Sequence, residues 1–209
     1  TTAARYSVPI DTAGLAWTVN GSPAAVQSTA LPTTASSGAA GPFSDANYYS
    51  NGTGADALDS TGDRFGCVAF VPSGSPANRV MIQNGSATVV AGHYLGFSAG
   101  SLLNFGSQTG AAVPKVSSGT AAITDGFNVG CWWRTGTSTF SKLNLGTTGT
   151  NAAAGTEVAG TAYTLKIGRY ENVGLSFNGK ILHVIQGLGA CPTPPAPFAA
   201  TCEGWAVYQ

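Results

Sequence analysis

Asp125-Gly126-Phe127-Asn128-Val129-Gly130-Cys131-Trp132-Trp133-Arg134 sets a large apolar residue at every second position through Trp133. Phe127, Val129, Cys131 and Trp133 fall on one side, and Asn128, Gly130, Trp132 and Arg134 on the other. Successive side chains of a strand point to opposite faces, whereas a helix repeats every ~3.6 residues, so this stretch reads as a β-strand. Its neighbours read the same way. Phe65, Cys67, Ala69 and Val71 share a face with Val68 and Phe70 opposite, and Tyr6, Val8 and Ile10 share another. Val80-Met81-Ile82 ends at Asn84-Gly85, a strong turn signal. His93 to Phe97 and Ser101 to Phe105 flank a Ser-Ala-Gly turn; Phe140 to Leu145, Tyr163 to Ile167, Phe177 to Ile185 and Trp205 to Tyr208 follow. Many short strands at hairpin spacing, with no capped amphipathic helix between them, predict an all-β fold: an antiparallel β-sandwich of two packed sheets with little helix.

Composition narrows the function classes. The chain has 209 residues, with nine Lys plus Arg against nine Asp plus Glu and a formal net charge of zero. Charged residues make up 9%, where a soluble domain ordinarily carries about 25%. No basic cluster exists to neutralise phosphates, which excludes a dedicated nucleic-acid binder. Disorder is excluded too, because 43% of the residues are hydrophobic, including four Trp, seven Tyr and nine Phe. No apolar run is long enough for a transmembrane helix. The length suits one domain over residues 1–209, with Ser22 to Pro42, Thr147 to Gly160 and Cys191 to Cys202 as surface loops.

Cys67, Cys131, Cys191 and Cys202 form no C-x-x-C pair, which argues against zinc. The even count points to two disulfides and a secreted or extracellular location. Of three pairings we favour Cys191–Cys202, closing a Pro-rich loop, which leaves Cys67–Cys131; four buried thiols are the alternative. Asn20, Asn51 and Asn84 begin glycosylation sequons.

The order of several segments resembles the laminin-G-like, concanavalin A-like jelly roll. Asn78-Arg-Val-Met-Ile-Gln-Asn-Gly85 precedes His93-Tyr-Leu-Gly-Phe97, Ser101-Leu-Leu-Asn-Phe105, the stretch from Asp125 to Arg134, Leu165-Lys-Ile-Gly-Arg169 and Phe177-Asn-Gly-Lys-Ile181. The likeness covers residues 43–186 or so. Where that superfamily has Trp-His after Asp-Gly, this chain has Phe127-Asn128. The resemblance implies a jelly-roll sandwich and a functional range running from glycan-binding and adhesion domains to polysaccharide hydrolases and lyases. It also implies a candidate calcium at the rim. Asp56, Asp59 and Asp63 form the richest oxygen cluster, Asp45 and Asp125 are further options, and Asx turns are the plainer explanation.

Catalysis finds little support. Glu157, Glu171 and Glu203 are isolated, so the hydrolase branch's strand of alternating acids is missing. Arg79, Gln83, His93 and Tyr94 do not follow the lyase order, and no G-x-S-x-G elbow occurs. Sugars are bound by aromatic faces with polar groups fixing the hydroxyls. Trp132, Arg134, Tyr94, Arg169 and Tyr170 are therefore the candidate ligand residues. Trp132, out of phase with its strand's apolar stripe, is carried both as a core ring and as a platform; Trp133 and Trp17 are read as core. The leading expectation is a non-catalytic recognition domain for a glycan or surface protein. A self-assembling subunit of a coat, sheath, fibre or virion surface is the alternative, since a chain without net charge associates readily.

Overall fold

The computed structural model describes residues 17–21, 24–25, 40–51, 62–86, 91–107, 109, 115–118, 123, 126–144, 146–152, 155–158, 164–171 and 174–190. Among them there is no helix, and the strands form two sheets. In spatial order the first sheet holds β1 (Trp17–Asn20), β4 (Tyr48–Asn51), β13 (Leu165–Ile167), β6 (Val80–Ser86), β7 (Ala91–Phe97), β8 (Leu103–Ser107) and β9 (Lys115–Ser118). The second holds β12 (Gly149–Asn151), β11 (Ser138–Leu143), β10 (Asn128–Thr135), β5 (Arg64–Pro72), β14 (Gly179–Leu188), β3 (Ala40–Gly41) and β2 (Ala24–Ala25). Each strand pairs antiparallel with its neighbours.

The interior forms where the inward residues of both sheets meet. Val68, Phe70, Trp132, Leu143 and Ile181 of the second sheet pack on Ile82, Leu95, Phe97, Leu103, Phe105, Leu165 and Ile167 of the first. Phe70 meets Phe97 and Phe177 edge-on at 5.6 and 5.8 Å, and Phe105 stacks on Trp132 at 4.7 Å. Burying one such side chain contributes roughly 1.5–3 kcal/mol, and aromatic pairing adds to it.

The alternation expected in β5 and β10 is present, but in β10 the inward face is the one opposite the expected stripe. Trp132, 1% exposed, is the core tryptophan. Phe65, Cys67, Ala69, Val129, Cys131 and Trp133 form a separate cluster on the outer face, where Trp133 stacks on Phe140 at 5.2 Å. The reason is register. Cys131 sits opposite Cys67 and Trp133 opposite Phe65, so one stripe covers one face, while the ring that meets Phe105 is Trp132. Cys67 and Cys131 are joined, as expected; Cys191 and Cys202 lie outside the described residues.

Three other expectations are corrected. Asn84-Gly85 is no turn: β6 runs through it to Ser86, with Asn84 opposite His93. The Asn84 side chain is buried, so this sequon is closed to modification in the folded chain. The stretch from Thr147 to Gly160 is not all surface loop, because it contains β12 and a buried Glu157.

Candidate functional site

The outward face of the first sheet gathers three of the five candidate ligand residues. Cross-strand register places Ser50 of β4, Lys166 of β13, Gln83 of β6, Tyr94 of β7 and Gly106 of β8 in one row. Alternation turns all of them away from Tyr49, Ile167, Leu95 and Phe105, which face the core. Tyr94 leans across Gly106, where a Cβ atom would lie 2.2 Å from its ring; only glycine leaves room for the phenol to lie down. After β13 the chain turns at Gly168, whose φ of +86° suits glycine and on which the Phe43 ring packs. That turn delivers Arg169 and Tyr170. The Tyr170 ring stands 6.1 Å from Tyr94, edge to face. The Arg169 guanidinium lies over the Tyr48 ring, 4.5 Å from its centroid.

Hydrogen bonds fix the turn to the sheet. The Glu171 backbone N–H donates to Gln83 Oε1 at 2.7 Å, and the Tyr170 N–H donates to Ser176 Oγ at 3.3 Å. Gln83 is 0% exposed on this outward face, so the turn and the rings cover it, and its Nε2 has no hydrogen-bond partner among the described residues. Burial pushes the Tyr94 phenol up to about 12, with help from Tyr170, and raises Tyr170, with help from Glu171. Both rings therefore stay neutral hydroxyl donors at physiological pH. Burial lowers the Lys166 ammonium, against the pull of Glu171, and Arg169 adds to the lowering. Half-buried rings, a covered amide and two cations make a surface suited to the mixed apolar and hydroxyl character of a sugar.

Trp132 and Arg134, the other two ligand candidates, point inward. Trp132 presents no ring face to solvent. Arg134 belongs to a polar cluster that occupies one stretch of the interior. Its Nη1 donates to Ser107 Oγ and its Nη2 to the Gly155 carbonyl at 2.5 Å. Arg64 and Ser107 donate to the Glu157 carboxylate, and Arg134 lies 3.8 Å from it. His93 Nδ1 is 3.7 Å from Glu157 Oε1, longer than a hydrogen bond. The His93 ring rests 5.3 Å from Trp132 and 5.9 Å from Phe105. Burial, with the Arg64 and Arg134 charges, drops this imidazole to about 4 against the pull of Glu157. Arg64 and Arg134 come from the second sheet, Ser107 and His93 from the first, and the Gly92 N–H donates to the Val158 carbonyl at 2.7 Å. Glu157 thus ties its segment to both sheets. These side chains are buried, so no substrate reaches them. The sequence signal for Glu157 was slight: a lone acid among small residues, matched only by lone arginines at two strand ends.

Of the calcium candidates, Asp56, Asp59 and Asp125 lie outside the described residues. Asp63 Oδ1 accepts the Gly136 N–H at 2.7 Å and so caps the β10–β11 turn. Among the described residues no three His, Cys, Asp or Glu side chains come together to hold a metal.

No family model matches the chain, and no curated protein matches it in sequence. Solved structures do match. Domains LG4-5 of the mouse laminin alpha1 chain align with a TM-score of 0.53 at 12% identity, over 78% of this chain and 43% of that one. The Ruminococcus gnavus IT-sialidase CBM40 aligns at 0.49 and 14% identity, over 63% of this chain and 79% of that one. A heptameric SAP-like pentraxin from Limulus polyphemus aligns at 0.40 and 18% identity, over 59% and 63%. This chain spans less than half the length of the laminin pair. At such identities the likeness is one of fold, and the laminin alignment carries it. The fold is a concanavalin A-like jelly-roll β-sandwich. Among the described residues, no helix is long and apolar enough to cross a membrane.

Proposed function

We infer that this chain is a recognition domain that binds a glycan on the outward face of its first sheet. The observation that carries the reading is the Tyr94–Tyr170 pair, set 6.1 Å apart beside Lys166 and Arg169 on a hydrogen-bonded support. Aromatic rings offer the apolar faces of a sugar a surface already ordered, so little side-chain entropy is lost on binding. The cross-strand disulfide supports work in an oxidising, extracellular setting, as adhesion or surface capture requires. A glycan array probed with the purified chain tests the reading. Binding is expected, and Tyr94→Ala is expected to abolish it while the melting temperature stays within a few degrees. A silent array, or binding that survives Tyr94→Ala and Tyr170→Ala together, overturns it.

Self-assembly is the second reading, favoured by the aromatic row Phe65, Trp133 and Phe140 on the outer face of the second sheet. Light scattering separates the two, since a monomer at high concentration rules assembly out.

A further inference from the structure

Next to the tyrosine pair, at the rim of the sandwich, lies an open cavity of about 250 Å³. The buried Phe43 and Phe177 close its floor, and Asp45, Arg79 and Asn178 line it with polar groups. Its volume falls just under the roughly 300–1,000 Å³ of pockets that hold drug-sized ligands, which suits one sugar ring rather than a larger molecule.

The polar lining is held in place. Asp45 Oδ1 accepts from Ser176 Oγ, and Oδ2 accepts the Gly174 N–H at 2.7 Å. The Ser176 hydroxyl, the Gly174 N–H and the Arg169 and Arg79 charges together hold the Asp45 carboxyl below the usual range against its partial burial, so it is an acceptor. Arg79 Nη1 donates to the Gly174 carbonyl at 2.5 Å, which anchors a donor on the other side. Asn178 is exposed and offers both a donor and an acceptor. Fixed donors and acceptors around a space of this size suit the hydroxyls of one sugar ring.

The cavity adjoins the turn that carries Tyr170. Ser176, which lines the cavity and bonds Asp45, also accepts the Tyr170 N–H at 3.3 Å. One residue thus separates the two surfaces. The geometry points to a second sugar subsite: the platform and the cavity read adjacent residues of one oligosaccharide, so the ligand is a chain of at least two sugars rather than a single terminal residue. This rests on the platform reading above and adds to it length selectivity and a second set of contacts.

Calorimetric titration tests it with glucose, N-acetylglucosamine, xylose and galacturonic acid, and with the disaccharide and tetrasaccharide built from each. In whichever series binds, the disaccharide and tetrasaccharide are expected to bind about tenfold more tightly than the monosaccharide, in line with one or two added hydrogen bonds. Asn178→Ala, at an exposed position, is expected to remove several-fold of that gain. Asn178→Trp, which fills the cavity, is expected to remove all of it. Tyr94→Ala is expected to remove binding of every length. Equal affinity at all lengths, or a gain untouched by both Asn178 variants, overturns the subsite while leaving the platform standing. No heat from any series together with a silent array overturns both.

Discussion

Two stretches of one interior are built on opposite principles. Around Phe70, the rings of Phe97 and Phe177 meet in a water-free contact that needs no directional bonds. Where β5 begins and β10 ends, Arg64 and Arg134 stand opposite one another, and a lone carboxylate from a distant segment bonds Arg64 and approaches Arg134. The apolar stretch is insensitive to pH and salt. The polar one depends on charges whose desolvation cost is met only while all partners are present. The difference shows how a chain with so few charged residues spends some of them: they fasten a segment that hydrophobic contact alone would leave unattached.

The largest expected effects break each stretch in its own way. Phe70→Ala removes a fully buried ring and is expected to lower stability by about 3–5 kcal/mol in urea denaturation. Glu157→Gln leaves two buried guanidinium groups facing a neutral amide, and a loss of about 3–5 kcal/mol is expected. What separates them is replacement of the whole set. Arg64→Met, Arg134→Leu and Glu157→Leu together are expected to restore stability to the starting value or about 1–4 kcal/mol above it. Should the triple variant be as weak as Glu157→Gln, the charges contribute net stability and the contrast fails.

Next in size is the response to acid. The buried His93 imidazole protonates near 4 in the folded chain and near 6.5 when unfolded. Between those values the unfolded state holds the proton and the folded state does not, so stability falls as pH drops from 6.5 towards 4. A gap of this size corresponds to about 3 kcal/mol by the lower limit. His93→Gln is expected to flatten that part of the stability–pH curve. Arg64, Arg134 and Glu157 all face the ring, and an unchanged slope in the variant rules the imidazole out as the source of the acid response.

What could be read in advance follows the same division. Period-two patterning revealed the strands, because alternation is written in adjacent residues. It did not reveal which face of β5 and β10 points inward. Both faces are apolar: Val68, Phe70 and Trp132 on one, Phe65, Cys67, Val129, Cys131 and Trp133 on the other. The choice depends on Phe105 and Leu103 across the interior, which no local pattern contains. Tyr94 and Tyr170 were legible as ligand candidates because they are aromatic and read as lying at strand ends; Tyr94 stands mid-strand in β7, and that register brings the two within one ring contact is a fact of sheet order. Glu157 was illegible, since its hydrogen-bond partners Ser107 and Arg64 lie 50 and 93 residues away in sequence.

The smallest expected effect lies inside the apolar stretch and tests how strictly it excludes polar atoms. The Tyr49 ring meets Phe43 at 5.8 Å, and its hydroxyl is buried without a hydrogen-bond partner among the described residues. Burial raises its pKa, so the group stays a neutral phenol with an unmet donor. An unmet buried hydroxyl carries a desolvation cost that its removal relieves, against the loss of a few dispersion contacts. Tyr49→Phe is therefore expected to leave stability unchanged or raise it by up to about 1 kcal/mol. The equivalent deletion among the charges, Ser107→Ala, removes a hydroxyl that bonds both Glu157 and Arg134 and is expected to cost about 1–3 kcal/mol. Opposite signs for two single-oxygen deletions, read by the same urea midpoint, put the boundary between the two stretches at the Trp132–Phe105 stack. That stack is where the apolar packing meets His93.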